Sequence, residues 1–408
     1  MHEDDSGDGR GTFPPARPSA RRRENQGRGK HRARRLLIHL VVAAMSAAVG
    51  VGTTVVTQHV MSSGADAAGR PRNAAADQRV AMNDQAVYKQ VEPGIVDVTA
   101  NLRYLQETAR GTGFVIDAAD GLVLTNNHVI DQATSVTVTP VTSGKSYPAR
   151  ILGYDPAHDV ALLQVRGAAE LKAVRTGDSS LVDVGTPVLA IGNEAGQGGS
   201  PTVAPGVISS LGRTIVASDQ SSGLTETLHG MLQTSADIRP GDSGGPLADA
   251  AGAVIGIDTA AGGSTVYSGY AIPITAALPI ARQIAAGRAG GHVRIGLPAF
   301  LGVLLPDSMS SDGGGCGAGN AAAVPAHVAP VRSGALVAGV LCGTVADQAG
   351  IVTGDVITSV AGQDIASPGS LTTLLRRYHP GSVVPLTWTS PDGSQHAAAV
   401  TFAAGPAD

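Results

Sequence analysis

A serine flanked by glycines, Ser243, is the residue in this sequence best suited to nucleophilic chemistry. It lies in the heptapeptide Gly-Asp-Ser-Gly-Gly-Pro-Leu at 241–247. A nucleophilic serine needs a hydroxyl that stands clear of the backbone and nearby N–H groups that can hold an oxyanion. Glycine suits both needs, because it accepts a positive φ and leaves room for a substrate. A Gly-rich β-turn has the same composition, so the motif also requires a base and an acid elsewhere.

A histidine and an aspartate that could serve Ser243 each lie beside an apolar run. His128 follows the run at 122–124 through Thr-Asn-Asn, and Asp159 directly precedes the run at 160–163. Both residues are therefore expected at strand ends, where side chains can converge on a cleft. Taken singly, each could be an ordinary surface residue. Together their order is histidine, aspartate, serine, which is the chymotrypsin order rather than that of subtilisin or the α/β-hydrolases.

The elements that must position these residues are predicted to be short strands. Aromatic residues make up only 3% of the chain, whereas Gly and Pro number 54 and 24. Short apolar or alternating runs recur every 10–20 residues, which is typical of an antiparallel barrel or sandwich. Residues 276–286 have helical spacing and are predicted to close this domain. The strand-like runs are 95–98, 113–116, 122–124, 135–138, 160–163, 188–191, 206–208 and 254–257.

The N-terminal region has the charge pattern of a membrane anchor. Residues 1–35 carry ten Arg or Lys against five Asp or Glu and are predicted to be a disordered, basic cytoplasmic tail. Residues 36–57 contain no charged side chain and are long enough to form a transmembrane helix. A cleavable signal peptide is the alternative, supported by Ala-Asp-Ala at 65–67. Basic residues before the span place the N-terminus in the cytoplasm and the body outside. Residues 58–85 are predicted to be a linker.

A second domain is predicted from 295 to 405, after a hinge at 287–294. It contains strand-like runs, a helix from 370 to 378 and a Gly/Ala-rich insertion at 306–330. The two cysteines of the chain, Cys316 and Cys342, could form a disulfide in an oxidising exterior, or remain as thiols. Two cysteines exclude a Cys₄ metal site. The body carries more acidic than basic side chains, which argues against nucleic-acid binding. No metal-ligand cluster or cofactor motif is evident.

Several segments together resemble the HtrA/Deg family of serine proteases. The resemblance covers about residues 86–405, in the order protease domain (86–286) and then PDZ domain. It implies a mainly β fold with two six-stranded, chymotrypsin-like barrels and an active site in the cleft between them. The segments on the protease side are GTGFVID, LTNNHVI, DPAHDVALLQV, LQTSADIRPGDSGGPL, VIGIDTA and GYAIPI. On the PDZ side they are RSGALVAGVL and AGIVTGDVITSVAGQDI.

The resemblance implies a role for each residue of the candidate site. His128 would be the general base and Asp159 would orient it, while Ser243 would attack the substrate carbonyl. The backbone N–H groups of Gly241 and Ser243 would form the oxyanion hole. In the second domain, the loop Phe300-Leu301-Gly302-Val303 would bind the carboxylate of a C-terminal peptide.

One residue departs from the family pattern. Asp237 lies six residues before Ser243, where family members usually carry a small or apolar residue. In trypsin-like proteases an acid at that spacing selects Lys or Arg at the P1 position. The alternative is a loop carboxylate paired with Arg239. A basic P1 preference is therefore a hypothesis.

The sequence predicts a bacterial serine endopeptidase that is anchored in the cell membrane by one helix. It would need no cofactor and no metal, and it would degrade misfolded exported proteins or proteins with a recognised C-terminal peptide. The family also suggests a homotrimer, and Tyr88 lies in the part of the protease domain that would form it. Two alternatives stay open. The chain could be a PDZ-bearing binding or chaperone-like protein, or a regulatory protease for one envelope partner.

Overall fold

The computed structural model describes residues 82–194, 199–218, 225–259, 269–306, 325 and 327–407. The predicted tail at 1–35, the predicted membrane helix at 36–57 and most of the predicted linker lie outside these residues, as does Cys316. Among the helices of the described part, none has the length and apolar character that a membrane crossing requires. Residues 78–408 form one compact unit.

The first barrel follows a short helix and contains six strands. The sheet order is β5-β4-β1-β2-β3-β6, and a further pairing of β6 with β5 closes the ring. Alternation explains β4, in which Val136 and Val138 are buried between more exposed threonines. The elements are α1 (Asp84–Val91), β1 (Ile95–Leu102), β2 (Glu107–Asp117), β3 (Leu122–Thr125), β4 (Ser135–Pro140), β5 (Tyr147–Asp155) and β6 (Val160–Val165).

The second barrel is also a closed ring of six strands. Its order is β10-β11-β12-β9-β8-β7, and all its pairings are antiparallel. The strand β11 is buried along its whole length, as its continuous apolar run predicts. The strands are β7 (Pro187–Gly192), β8 (Thr202–Ser218), β9 (Thr225–Thr234), β10 (Pro246–Asp249), β11 (Val254–Thr259) and β12 (Gly269–Pro273).

One hydrophobic core joins the two barrels. Phe114 and Leu162 of the first barrel belong to the same buried cluster as Leu189 and Ile257 of the second. The helix α2 (Ile274–Ala285) packs against strands of both barrels and closes this core, close to the predicted span of 276–286. The prediction of a mainly β, chymotrypsin-like fold with two six-stranded rings is confirmed.

The segment after α2 returns to the first barrel before the second domain begins. There β13 (Arg294–Ile295) pairs with β5, placing Arg294 opposite Tyr154. A side chain at Gly153 would lie 2.3 Å from the carbonyl oxygen of Arg294, so only glycine permits this pairing. The end of the predicted hinge at 287–294 is thus fastened to the barrel.

The second domain has short strands and two helices around its own core, as expected for a PDZ domain. Its helix α4 begins eight residues after Val360, where Ser367 caps it and exchanges hydrogen bonds with Ser370. Pro368 suits the first helical position, and for this reason the helix starts earlier than the predicted span of 370–378. It ends at Leu375, three residues before the end of that span. The elements are β14 (Ala299–Phe300), β15 (Val303–Leu304), β16 (Ala335–Leu336), β17 (Gly339–Val340), α3 (Val345–Ala349), β18 (Val356–Val360), β19 (Gln363–Asp364), α4 (Pro368–Leu375), β20 (Val383–Thr389), β21 (Gln395–Thr401) and β22 (Ala403–Ala404).

Candidate active site

His128 and Asp159 lie together at the rim of the first barrel and make two hydrogen bonds with each other. The backbone N–H of His128 donates to Oδ1 of Asp159 at 2.9 Å, and Nδ1 of the ring lies 2.8 Å from Oδ2. The carboxylate is 1% exposed and the imidazole 27% exposed. The aspartate is therefore held on both oxygens, and the orientation of the partly exposed imidazole is fixed.

Asp159 has an unusual backbone conformation for which its neighbours compensate. It follows a 3₁₀ turn, Pro156–His158, and has φ 52° and ψ 46° in the left-handed region. Aspartate tolerates that region better than most residues do. The side-chain amide of the fully buried Asn126 donates to the carbonyl oxygen of Asp159 at 3.0 Å, and also lies 3.3 Å from the hydroxyl of Thr259 in the second barrel. Asn126 thus holds the Asp159 peptide in place and links it to the second barrel.

The loop that carries Ser243 is anchored to strand β2 of the first barrel through Thr112. The N–H of Thr112 donates to the carbonyl oxygen of Ser243 at 2.8 Å, and its hydroxyl donates to that of Gly241 at 2.8 Å. The hydroxyl of Thr125, three residues before His128, donates to the carbonyl oxygen of Thr112 at 2.7 Å. One buried threonine therefore ties the serine loop to the segment that leads to the histidine.

Two glycines of the loop are required by its backbone. Gly241 and Gly244 have φ values of 100° and 86°, which favour glycine. A Cβ at Gly244 would lie only 2.1 Å from the carbonyl oxygen of Thr112, so a larger residue would force the loop off strand β2. These glycines serve conformation and close packing.

Three N–H groups of the loop are used inside the protein. Those of Asp242, Gly244 and Gly245 donate to backbone carbonyls at 2.8–2.9 Å. These three bonds lie between and around Gly241 and Ser243, the residues that carry the two predicted oxyanion donors. The bonds on either side therefore fix the conformation of the peptide units that carry the predicted donors.

Two carboxyl groups at the loop are buried, that of Asp242 within it and that of Asp258 in the neighbouring strand β11. Asp242 accepts from the hydroxyl of Thr202 and from the N–H of Arg239, both at 2.9 Å, and burial raises its pKa. Asp258 is completely buried, and in the described residues its carboxyl oxygens make no hydrogen bond of normal geometry, with only a weak interaction with the backbone N–H of Ile191. Burial, followed by the charge of Asp242, raises the pKa of Asp258 well above its ordinary value. Sequence reasoning missed Asp258, although an acid within an apolar strand run signals a buried carboxyl group.

Asp237 is engaged by Arg239, as the alternative interpretation of the sequence expects. The guanidinium lies 2.6 Å from Oδ2 of Asp237 and 2.7 Å from Oε1 of Glu194. These two acids, Asp237 first, raise the pKa of Arg239. The side chains are 42–48% exposed, so the pairs contribute little to stability. Oδ1 of Asp237, by contrast, is buried and has no partner in the described residues.

The predicted carboxylate loop of the second domain forms a turn held by its carbonyl groups. The carbonyl of Leu301 accepts from the N–H of Ala346 at 2.8 Å, and that of Gly302 from Leu341 at 2.9 Å. Gly302 has φ 87°, and a Cβ there would lie 2.2 Å from Cβ of Thr344. Only glycine fits this position, and both carbonyl oxygens are committed to the interior of the domain.

Cys342 is disulfide-bonded. The sequence has one other cysteine, Cys316, which is not among the described residues. No group of three or more His, Cys, Asp or Glu side chains in the described residues could hold a metal ion.

Comparison with known proteins identifies both domains. Residues 111–257 match the trypsin-like peptidase domain, and 336–389 match the PDZ domain. The chain is 35% identical over 280 residues to the periplasmic pH-dependent serine endoprotease DegQ of Escherichia coli, covering 68% of this chain and 55% of that protein. The protein is an HtrA/Deg-like chain with a PDZ domain. Its HtrA/Deg-like peptidase domain contains all three residues of the predicted triad.

Other relatives have the same character. The putative serine protease HhoA of Synechocystis is 36% identical over 64% of this chain and 62% of that protein. The serine protease PepD of Mycobacterium tuberculosis is 29% identical over 78% of this chain and 65% of that protein. This HtrA/Deg-like chain spans about half to two thirds of the length of the curated relatives that it matches.

Proposed function

We propose that this chain is a serine endopeptidase that uses Ser243 as nucleophile, His128 as general base and Asp159 as the residue that orients the base. The observation that carries the proposal is the double hydrogen bond between His128 and Asp159, beside a glycine-flanked serine whose loop is anchored by Thr112. Serine proteolysis requires this set of groups and this order of roles.

The proposed reaction proceeds in two halves. The Oγ of Ser243 attacks the scissile carbonyl carbon while Nε2 of His128 takes the hydroxyl proton. The oxyanion that forms accepts hydrogen bonds from the N–H groups of Gly241 and Ser243, and each such donor lowers the barrier by roughly 3–4 kcal/mol. His128 then gives its proton to the leaving amine, and an acyl-enzyme remains. A water molecule, deprotonated by His128, releases the carboxylic acid and restores the serine.

Asp159 keeps the imidazole in the tautomer that this sequence of steps needs. With Nδ1 at 2.8 Å from the carboxylate, the ring proton lies on Nδ1 and Nε2 is the nitrogen that accepts. The second bond, from the backbone N–H of His128, prevents the carboxylate from rotating away. The buried carboxylate then stabilises the imidazolium that forms during attack.

The test compares the whole chain with Ser243→Ala in detergent micelles, with unfolded casein as substrate. Wild type is expected to release peptides and to be labelled by a fluorophosphonate, whereas the variant does neither. Equal turnover by both proteins would remove Ser243 from the mechanism and leave a PDZ-bearing binding or chaperone-like protein. Cleavage of one folded envelope protein, with casein left intact, would instead indicate a regulatory protease.

We further propose that the substrates are misfolded exported proteins or proteins with a C-terminal peptide that the PDZ loop binds. The support is the uncharged stretch at 36–57 after a basic tail, which would hold the chain in the cell membrane with the body outside. Cell fractionation with carbonate extraction tests the anchor: release of the intact chain into the supernatant would contradict it. A molar mass of three chains in light scattering would support the homotrimer.

The P1 preference follows from whether Asp237 faces a bound substrate. A basic preference is supported by its buried, unpartnered oxygen, whereas the ion pair with Arg239 opposes it. Mass-spectrometric mapping of cleavage sites on casein decides between them. Cleavage mainly after Val, Ala or Leu would contradict a basic P1 preference.

A further inference from the structure

The segment that follows the last long strand of the PDZ domain continues onto the protease domain. This segment, residues 403–407, is called the strap below. At its start, β22 pairs with β14, so that Ala403 lies opposite Phe300 of the candidate carboxylate loop. The N–H of Gly405 then donates to the carbonyl oxygen of Pro298 at 2.9 Å. The first half of the strap is therefore fixed to the strand that enters the carboxylate loop.

The far end of the strap is bonded into the first barrel through Ala407. Its N–H donates to the carbonyl oxygen of Ala133 at 3.0 Å, and its carbonyl accepts from the N–H of Gln132 at 2.8 Å. Ala407 is completely buried and belongs to the barrel core that also contains Val129 and Ile130. A residue from beyond the PDZ domain thus completes the hydrophobic core of the protease domain.

The barrel segment that receives the strap is the one that carries His128. Val129 and Ile130 directly follow the histidine and are almost fully buried. A Cβ at Gly111 would lie 2.7 Å from a methyl group of Val129 and 3.0 Å from the carbonyl oxygen of Ser243. Strand β2, the histidine segment and the serine loop are therefore in close contact at Gly111. A displacement of residues 129–133 would therefore move the base relative to the nucleophile.

The protease and PDZ domains also meet at a second contact, so the strap is one of two connections between them. The rings of Tyr104 and Phe300 lie 5.1 Å apart, centroid to centroid. Beside them is a cleft of about 570 Å³ lined by both domains, with Arg103 on one wall and Gln348 on the other, and with strap residues at its margin. The strap therefore lies along one margin of this cleft, where its backbone hydrogen bonds hold it to both domains.

We propose that the strap positions the His128 segment, so that efficient catalysis by the protease domain depends on the PDZ domain that delivers the strap. Ala407 is the positioning residue, acting through Gln132 and Ala133. The inference rests on the proposed function for its effect on turnover, but the physical contact can be measured without it.

The experiment uses the full chain and three variants. Ala407→Arg places a long charged side chain where the barrel core leaves no space. Ala407→Gly keeps both backbone bonds, and Ala397→Arg adds the same arginine at an exposed position of strand β21. For each protein, kcat and KM on casein are measured per folded molecule, and hydrogen–deuterium exchange is followed at the amide of Gln132.

Ala407→Arg is expected to lower kcat about tenfold or more, since a base misplaced by about 1 Å can cost ~100-fold. KM should stay within about twofold of the wild-type value, because this segment supplies the catalytic base and does not hold the substrate in its ground state. Exchange at Gln132 should accelerate strongly only in this variant. Ala397→Arg should resemble wild type in all three quantities, and Ala407→Gly, which loses one buried methyl group but keeps both backbone bonds, should keep kcat within about twofold of wild type with a smaller change in exchange.

Three results would overturn the inference. Exchange at Gln132 could be unchanged in Ala407→Arg, exchange could accelerate while kcat per folded molecule stays at the wild-type value, or Ala397→Arg could lose as much activity as Ala407→Arg. If wild type turns over casein no faster than Ser243→Ala, the proposed function fails instead. The exchange at residues 128–130 then decides alone, and unchanged protection there in Ala407→Arg refutes the strap.

Discussion

The hydroxyl of Thr112 offers a direct test of how the serine loop is held. It donates to the carbonyl oxygen of Gly241 at 2.8 Å and lies 3.0 Å from the N–H of Asn193, which donates to it. Thr112 is fully buried. Thr112→Val replaces the hydroxyl by a methyl group of similar size and leaves the bonds of the backbone N–H and carbonyl in place. The change therefore removes two hydrogen bonds without opening a cavity.

The magnitude follows from the groups that lose their partner. The carbonyl of the half-buried Gly241 and the N–H of the buried Asn193 would each lose their partner, at about 1–3 kcal/mol per group. The free energy of unfolding should therefore fall by about 2–6 kcal/mol before the loop adjusts. The loop can recover part of this by rotating the Gly241 peptide toward a new donor. That rotation also breaks the bond from the N–H of Asp242 to the carbonyl oxygen of Arg239, and it shifts Gly241, whose own N–H is a predicted oxyanion donor. Losing one such donor costs about 100- to 1,000-fold in kcat.

The assay measures kcat and KM on casein below the melting temperature of each variant, with Thr112→Ser as control. Thr112→Ser keeps the hydroxyl and should retain kcat within about threefold, because only a methyl group is lost. Thr112→Val should lose about 10- to 1,000-fold in kcat with little change in KM. A folded Thr112→Val protein with the wild-type kcat would show that the loop keeps its conformation without this hydroxyl, and the reasoning would be refuted.

Three further predictions concern the surroundings of the site. Asp258→Asn should become increasingly more stable than wild type as the pH rises above about 4. The reason is that a carboxyl group whose pKa is raised by folding lowers the stability of the wild type at every pH above its unfolded pKa. If the difference in melting temperature between variant and wild type is the same at pH 5 and at pH 8, this prediction is contradicted. Reduction of the disulfide at Cys342 should cost roughly 3–4 kcal/mol if its partner is Cys316, and the unreduced, denatured protein should show no reactive thiol; two titratable thiols would disprove the pairing. Arg239→Gln should change stability by less than about 1 kcal/mol and should raise cleavage after Lys and Arg by freeing Asp237; an unchanged P1 profile would argue that this carboxylate does not face substrate.

The sequence was informative wherever local pattern and chemistry coincide. Alternating apolar runs separated by glycine indicated the strands, and the order of the three candidate residues indicated which strand ends must meet. The left-handed conformation of Asp159 could not be predicted, because it is supported by the side chain of Asn126, which lies 33 residues earlier in the chain, just after strand β3. Thr112 was equally hidden, since a threonine in a strand run has an ordinary explanation in β-propensity. Contacts distant in sequence have no periodic signal.

The glycines around Ser243 are needed, as the sequence predicts, but for a further physical reason that the sequence does not show. From sequence they indicated room for a substrate and freedom of the backbone. In the structure Gly244 has no room at all, since a Cβ there would lie within 2.3 Å of both the Thr112 carbonyl oxygen and the Thr125 hydroxyl. The glycine is needed for close approach to the first barrel, and that approach brings the serine loop up to the segment of His128. The placement of the nucleophile is therefore specified by strand β2 as much as by the heptapeptide. For this reason a substitution at Thr112, outside the motif, is expected to reduce kcat as a substitution within the motif would.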